Sequence, residues 1–206
     1  MASLTRKGHW EQFYATHPEQ SLSWFEPTPL LALEMIRKSA RGKSDSIVDI
    51  GGGNSRLGDC LLAEGFHSVA VLDVSSKALA IAQARLGERA VEVQWIVSDV
   101  LGWKCASAFD IWHDRAAYHF LTDAADRATY AALASNAVKS GGVLIVATFA
   151  LDGPRSCSGL PVYRASAEMI AADFAPSFEL AESIPHEHTT PSGNVQKFQV
   201  SRLRRK

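Results

Sequence analysis

Ile47-Val48-Asp49-Ile50-Gly51-Gly52-Gly53-Asn54-Ser55 decides how the rest of the 206-residue chain reads. A short, mostly β-branched apolar run meets three glycines, and a helix-compatible segment, Arg56 to Ala63, follows. A strand, a turn free of β-carbons and a helix start bring backbone N–H groups close to a ligand. Read as the G-x-G-x-x-G turn of dinucleotide folds, the stretch fails at the third glycine, where Arg56 stands. Asp49 also occupies a position that is apolar in those folds. An acid there repels a pyrophosphate and suits an ammonium group, so the turn fits a zwitterionic ligand.

Outward from this turn, strands and helices alternate. Strands are expected at 46–50, 69–72, 91–97, 109–112 and 143–149. Helices are expected at 76–86 behind a Ser75 cap and at 123–139 behind Thr122, the latter broken by Gly141-Gly142. Toward the N-terminus, residues 3–16 suit a helix with Trp10, Phe13 and Tyr14 along one side, followed by an ordered loop from His17 to Pro27. Thr28-Pro29 then opens a helix that runs to about Ala40. The rhythm predicts an α/β fold, a doubly wound, mostly parallel sheet covered on both faces. Phe178–Ile184 and Val195–Leu203 break it, because only the loop Pro185–Asn194 separates them; they must pair antiparallel. The sheet thus has seven strands, ends in an antiparallel C-terminal hairpin and carries an N-terminal helical cap. A single domain is expected over residues 1–206, with the cap at 1–40 and the core at 46–203.

Two further acids join Asp49 at the sheet's ligand edge. Asp73 ends the second strand, where a carboxylate accepts from both hydroxyls of a ribose. Asp99 ends the third, where it can accept from the amine of an adenine lying between Val74 and Val100 or Leu101. Taken singly, Asp49 also reads as a strand end, Asp99 as a helix cap and Trp24 as core. After the fourth strand come His113, Asp114, Tyr118 and His119, the candidates for acid–base work. Asp114-Arg115 also reads as a surface ion pair and His119 as a packing residue.

The acid-x-Gly-x-Gly motif at Asp49–Gly53, with an acid ending the second strand, resembles the class I S-adenosylmethionine-dependent methyltransferases over roughly residues 46–150. Gly51-Gly-Gly-Asn-Ser-Arg-Leu, with the preceding Trp24-Phe25, is similar to the methyltransferase-like branch that includes lysine methyltransferases of elongation factors and citrate synthase. The resemblance implies a Rossmann-like core with S-adenosylmethionine as cofactor. It puts Asp49, Gly51, Gly52 and Gly53 at the methionine part, Asp73 at the ribose and Asp99 at the adenine, with Asn54, Val74 and Val100 also among the cofactor-binding residues. Tyr14, Trp24 and His113 complete that shell, and His113, Asp114 and His119 are the catalytic candidates. Asp110–Arg115 would line the methyl group, the aromatic cap would exclude water, and Leu151–Val162 would close over the acceptor. A small-molecule acceptor, with sulfur favoured over nitrogen or oxygen, is the first expectation. Methylation of a protein lysine is the second, and a non-catalytic cofactor-binding module the third.

Composition narrows the partners. Hydrophobic residues at 47% and charged residues at 21% are ordinary for a globular chain, which excludes wholesale disorder, collagen and coiled coil. With 21 Lys+Arg against 22 Asp+Glu there is no basic field to favour nucleic acid, and the cluster Arg202, Arg204, Arg205, Lys206 reads as a solvated tail. Three scattered cysteines make neither a disulfide framework nor a zinc cluster, and His186-Glu187-His188 lacks a fourth ligand, so no metal is expected. No apolar run suits a membrane span and no secretory signal opens the chain. The expectation is a cytoplasmic monomer or homodimer without membrane or nucleic-acid partners.

Overall fold

A computed structural model describes residues 5–206. Its seven-stranded sheet has the order β3-β2-β1-β4-β5-β9-β8. The strands are β1 Ile47–Ile50, β2 Val69–Asp73, β3 Val93–Val97, β4 Phe109–Arg115, β5 Val138–Phe149, β8 Phe178–Thr189 and β9 Val195–Arg205. The first five run parallel. β9 enters antiparallel between β5 and β8. A small separate hairpin, β6 Ser156–Cys157 with β7 Leu160–Pro161, follows β5.

Alternation along each strand sends side chains to two cores. On one face Ile47, Val69, Val71, Ile111 and Ile145 pack against α2 (Leu30–Ser39) and α3 (Leu57–Ala63), with Leu79 of α4 (Ser76–Leu86). On the other, Val48, Ile50, Leu72, Trp112 and Leu144 meet Tyr130 and Ala134 of α5 (Ala124–Ala137) and Ile170 and Phe174 of α6 (Ala167–Phe174). Strands buried on both faces read as unbroken apolar runs, which is why their positions were visible in the sequence. A third cluster roofs one end: Tyr14 of α1 (Arg6–Thr16), Leu22 and Ala78, with Trp10, Phe13, Trp24 and Phe25 packed on them.

Several boundaries move. The expected start of the first helix, at residue 3, lies outside the described residues; the helix spans Arg6–Thr16. α2 is capped by Pro29 without a side-chain bond rather than by the Thr28 hydroxyl. Asp123, one residue after Thr122, caps α5 by accepting from Ala125 N–H at 2.7 Å. α5 ends at Ala137, and β5 starts at Val138, ahead of the two glycines: Val138 pairs with Phe109, and the ladder resumes from Val143 after a register shift. β3 starts at Val93, because residues 87–92 form a 3₁₀ turn that leaves Val91 in solvent. β8 and β9 run past the expected loop, which shrinks to residues 190–194; Pro185 sits in strand β8 opposite Gln199. His186, Glu187 and His188 therefore belong to β8, not to a loop. Arg202, Arg204 and Arg205 are likewise paired in β9 rather than in a free tail. α6 fills a stretch for which no helix was expected.

Candidate active site

Parallel strands deliver their C-terminal ends to one edge of the sheet, and a cleft opens there along β3, β2, β1, β4, β5 and β9. Its volume is about 860 Å³ including the open mouth. At one end lie Leu72, Asp73, Val74, Asp99 and Val100; in the middle, Gly51, Ala116 and Ala117; at the other, Phe149, Cys157, Gln196 and Phe198. Trp10, Tyr14 and Trp24 roof it.

The glycine turn earns its composition at two positions. Gly51 has φ +65, and a β-carbon on it would stand 2.5 Å from that of Ala117. Gly53 has φ +50, and its β-carbon would meet Tyr14 Oη at 2.6 Å. Both φ values lie where side chains are disfavoured, so the turn, the loop after β4 and the roof helix can close only around glycine. Gly53→Ala is expected to push α1 off the turn and weaken cofactor binding on the order of tenfold or more by strain and clash together. Titration calorimetry with S-adenosylhomocysteine reads this directly; an unchanged affinity would show that α1 does not shape the cofactor cleft.

Asp73 is buried and on the cleft wall, its Oδ1 accepting from Ser75 N–H at 2.8 Å. Burial pushes its carboxyl up to about 7, helped by the nearby Asp49 and opposed by the amides of Ser75 and Gly53. A carboxylate so short of donors calls for hydroxyl groups from a ligand. Asp99 caps the short turn 100–102 through Leu101 N–H at 3.0 Å, and it stands on the cleft wall. Its carboxylate also meets Arg6 of α1 at 3.3 Å. α1 is fastened a second time by Glu11, which accepts from Ser76 N–H at 2.7 Å and so supplies an anion to the start of α4.

Asp49 stands one layer lower. It lies on the α2 and α3 side of β1, directly opposite His113 on β4, and its Oδ1 is 2.7 Å from His113 Nδ1. Both side chains are about 95% buried. They border a smaller recess with Gly51, Gly52 and Trp24 rather than the main cleft. Gly52 lies over Asp49 Oδ2, 2.6 Å from where a β-carbon would sit. Gly53 and Asn54 form the back of the turn, with Asn54 buried and its Nδ2 unpaired.

The other catalytic candidates are not on the cleft wall. Asp114 points to the opposite face of β4, fully buried. Its oxygens accept from the amides of Ala117 (2.9 Å) and Tyr118 (3.0 Å) and from Tyr130 Oη (2.5 Å). It is thus not paired with Arg115, which faces the other way. Burial lifts its carboxyl to about 6 against those three donors. His119 is also fully buried, with both ring nitrogens unpartnered against Phe149 and Phe120. Burial, then the Arg115 charge, lowers it to about 3, so it stays neutral. Tyr118 donates to Asp173 at 2.8 Å, away from the cleft. Asp110 sits at the far end of β4, held by Lys139 at 2.7 Å and by Ser46. Of the segment 110–115 only Arg115 reaches the main cleft, because β4 continues as strand through Arg115.

Residues the sequence reading passed over complete the far end. Phe149 and Phe198 pair across β5 and β9. Cys157 is carried in by a two-residue hairpin whose central Ser158 and Gly159 both have positive φ (50 and 77). The only signals for it were the glycines and prolines flanking residue 157. His188 is used structurally, 2.8 Å from Ser23 O and 3.4 Å from Glu26. Among the described residues no group of three His, Cys, Asp or Glu side chains could hold a metal, and no helix is long and apolar enough to cross a membrane.

A sequence profile described as a methyltransferase domain matches residues 47–142, from the start of β1 to the bulge of β5. Residues 47–142 thus match a methyltransferase domain, and the fold around them is that of S-adenosylmethionine-dependent methyltransferases. The methyltransferase matches no curated protein in sequence. Its fold is shared by many solved structures. One, from work on conversion of a disulfide bond into a thioacetal group during echinomycin biosynthesis, has 19% identity, TM-score 0.76, and covers 96% of this chain and 91% of its own. An S-adenosylmethionine-dependent methyltransferase from Anabaena variabilis has 16% identity, TM-score 0.75, and coverage of 99% and 96%. The N-methyltransferase NodS from Bradyrhizobium japonicum, in complex with S-adenosylhomocysteine, has 16% identity, TM-score 0.71, and coverage of 98% and 99%. At such identities the likeness is one of fold. The matching domain and the donor-poor Asp73 beside a glycine turn fit S-adenosylmethionine as cofactor.

Proposed function

We propose that this methyltransferase, acting as one domain, transfers its methyl group in line to a nucleophilic sulfur of a small molecule. Asp73 would hold the ribose hydroxyls; Asp99, Val74 and Val100 would hold the adenine; and the turn at Gly51–Gly53 would hold the methionine part, with Tyr14 and Trp24 above. Asp49 would act from beneath the turn, its orientation set by His113. S-adenosylmethionine supplies a methyl group on a sulfonium, already activated toward nucleophiles. The chain's residues need to align the acceptor and keep out water, and alignment alone can be worth ~7–11 kcal/mol.

The observation that carries the choice of sulfur is the absence of a base at the far end of the cleft. Among the described residues there, Arg115 is a cation, Gln196 and the phenylalanines do not titrate, and burial pushes the Cys157 thiol up. An acceptor must therefore arrive able to ionise by itself. A thiol of pKa ~8.5 costs about 2 kcal/mol to deprotonate at pH 7, whereas a lysine amine of pKa ~10.4 costs about 4.6 kcal/mol. The cation at Arg115 also lowers the first cost and opposes the approach of an ammonium group. Incubation of methyl-labelled S-adenosylmethionine and the enzyme with cell extract is expected to label the low-mass fraction. Label confined to protein would overturn the proposal in favour of lysine methylation.

A further inference from the structure

Arg115 is used on one nitrogen only. Its Nη1 donates to Trp24 O at 2.9 Å and lies 3.3 Å from Glu26. Its Nη2 is buried and has no partner. The side chain is four-fifths buried, with its guanidinium carbon 5.6 Å from the Phe198 ring centre. A buried cationic N–H group without an acceptor is costly, and on a residue that lines a cleft it suits an anionic ligand. The backbone supports the same reading. Ala116, next in the chain, is held at φ 67, a conformation rare for any residue but glycine. Asp114 fastens the turn from below through the amides of Ala117 and Tyr118. Strain fixed in this way at a cleft wall serves to aim a side chain. The cleft that Arg115 lines has an aromatic wall of Trp24, Phe120, Phe149 and Phe198, of which Phe198 lies under the guanidinium.

We infer that Arg115 is the acceptor-binding residue, and that the acceptor is a small planar aromatic molecule bearing a carboxylate which pairs with Nη2. This rests on the methyl-transfer reading of the cleft but not on which atom is methylated. A guanidinium matches a carboxylate in both charge and hydrogen-bond geometry, and the rings on either side cover a flat apolar body.

The test uses the enzyme saturated with S-adenosylhomocysteine, titrated with benzoate and with its neutral isostere benzamide. Benzoate is expected to bind at least tenfold more tightly. Arg115→Met should abolish the difference and Arg115→Lys should keep part of it, with affinity for S-adenosylhomocysteine within about threefold in both. Equal binding of the two probes, or binding of neither, would overturn the inference. So would a loss of S-adenosylhomocysteine affinity in Arg115→Met as large as the loss for benzoate, since Arg115 would then belong to the cofactor. A separate turnover comparison of 4-mercaptobenzoate with 4-hydroxybenzoate and 4-aminobenzoate tests the sulfur proposal. Methylation of only the hydroxyl or amino compound would end the sulfur reading and leave the Arg115 assignment standing.

Discussion

Asp73→Asn is expected to stabilise the ligand-free protein at pH 8 while weakening its hold on S-adenosylhomocysteine about a hundredfold or more. The wild-type carboxyl is pushed up to about 7 by burial, far above the ~3.9 of an unfolded aspartate. A raised acid means that the ionised form burdens the folded state. That burden is fully present above about pH 7, fades as pH falls through 7 and is gone below about pH 4. Removing the charge should therefore add on the order of 1–3 kcal/mol at pH 8 and progressively less at lower pH. On the proposed ribose assignment, the same change removes the charge behind both hydrogen bonds and replaces one accepting oxygen by a donor, and charge-assisted bonds are worth about 1.5–3 kcal/mol each. Because the cofactor favours the ionised form, wild-type affinity should also weaken below pH 7, by up to ~10-fold per pH unit. The asparagine variant should be flat there. Thermal melts and calorimetry from pH 5 to 8 measure all three effects, and undiminished affinity in the variant would remove Asp73 from the ribose.

The second large effect belongs to stability. Asp114→Ala removes the acceptor for two backbone amides and for the Tyr130 hydroxyl, which in turn accepts from Trp112 Nε1 at 2.8 Å. Apart from the half-buried Ala117 these residues are buried, and each orphaned buried donor costs about 1–3 kcal/mol. A total near 3–5 kcal/mol lowers the melting temperature of a chain this size by roughly 6–20 °C. Asp114→Asn keeps one accepting oxygen and should lose less. If Asp114→Ala instead melted within about 2 °C of wild type but failed to turn over, Asp114 would be a catalytic group after all.

Much of this architecture was open to reading because the determinants are local. The apolar run at 47–50, the glycines at 51–53 and the acids at 49, 73 and 99 each report on their own strand, and the alternation of strands with helices points to a parallel sheet. What remained hidden depends on face. His113, Asp114 and Arg115 are consecutive, and nothing local says that the strand continues through them. Once it does, alternation turns Asp114 into the α5 core, while His113 and Arg115 share the other face, where His113 pairs with Asp49 and Arg115, further along, reaches the cleft. Phe149, Cys157 and Phe198 meet only because β9 lies beside β5 and a separate hairpin folds over their end. That depends on contacts between residues far apart in sequence, which no window along the chain contains.

The insertion of β9 between β5 and β8 sets an order for biogenesis. As the chain emerges, β1 to β5 can assemble from already synthesised neighbours, while β8 must wait, since its sole neighbour in the sheet is the strand made after it. Until then the flank of β5 stays unpaired and sticky. The end of the cleft with Leu72, Asp73 and Asp99 can thus be ready on a nascent chain, while the far wall, with Gln196 and Phe198, arrives last. A half-made enzyme could grip its methyl donor with no chamber in which to spend it.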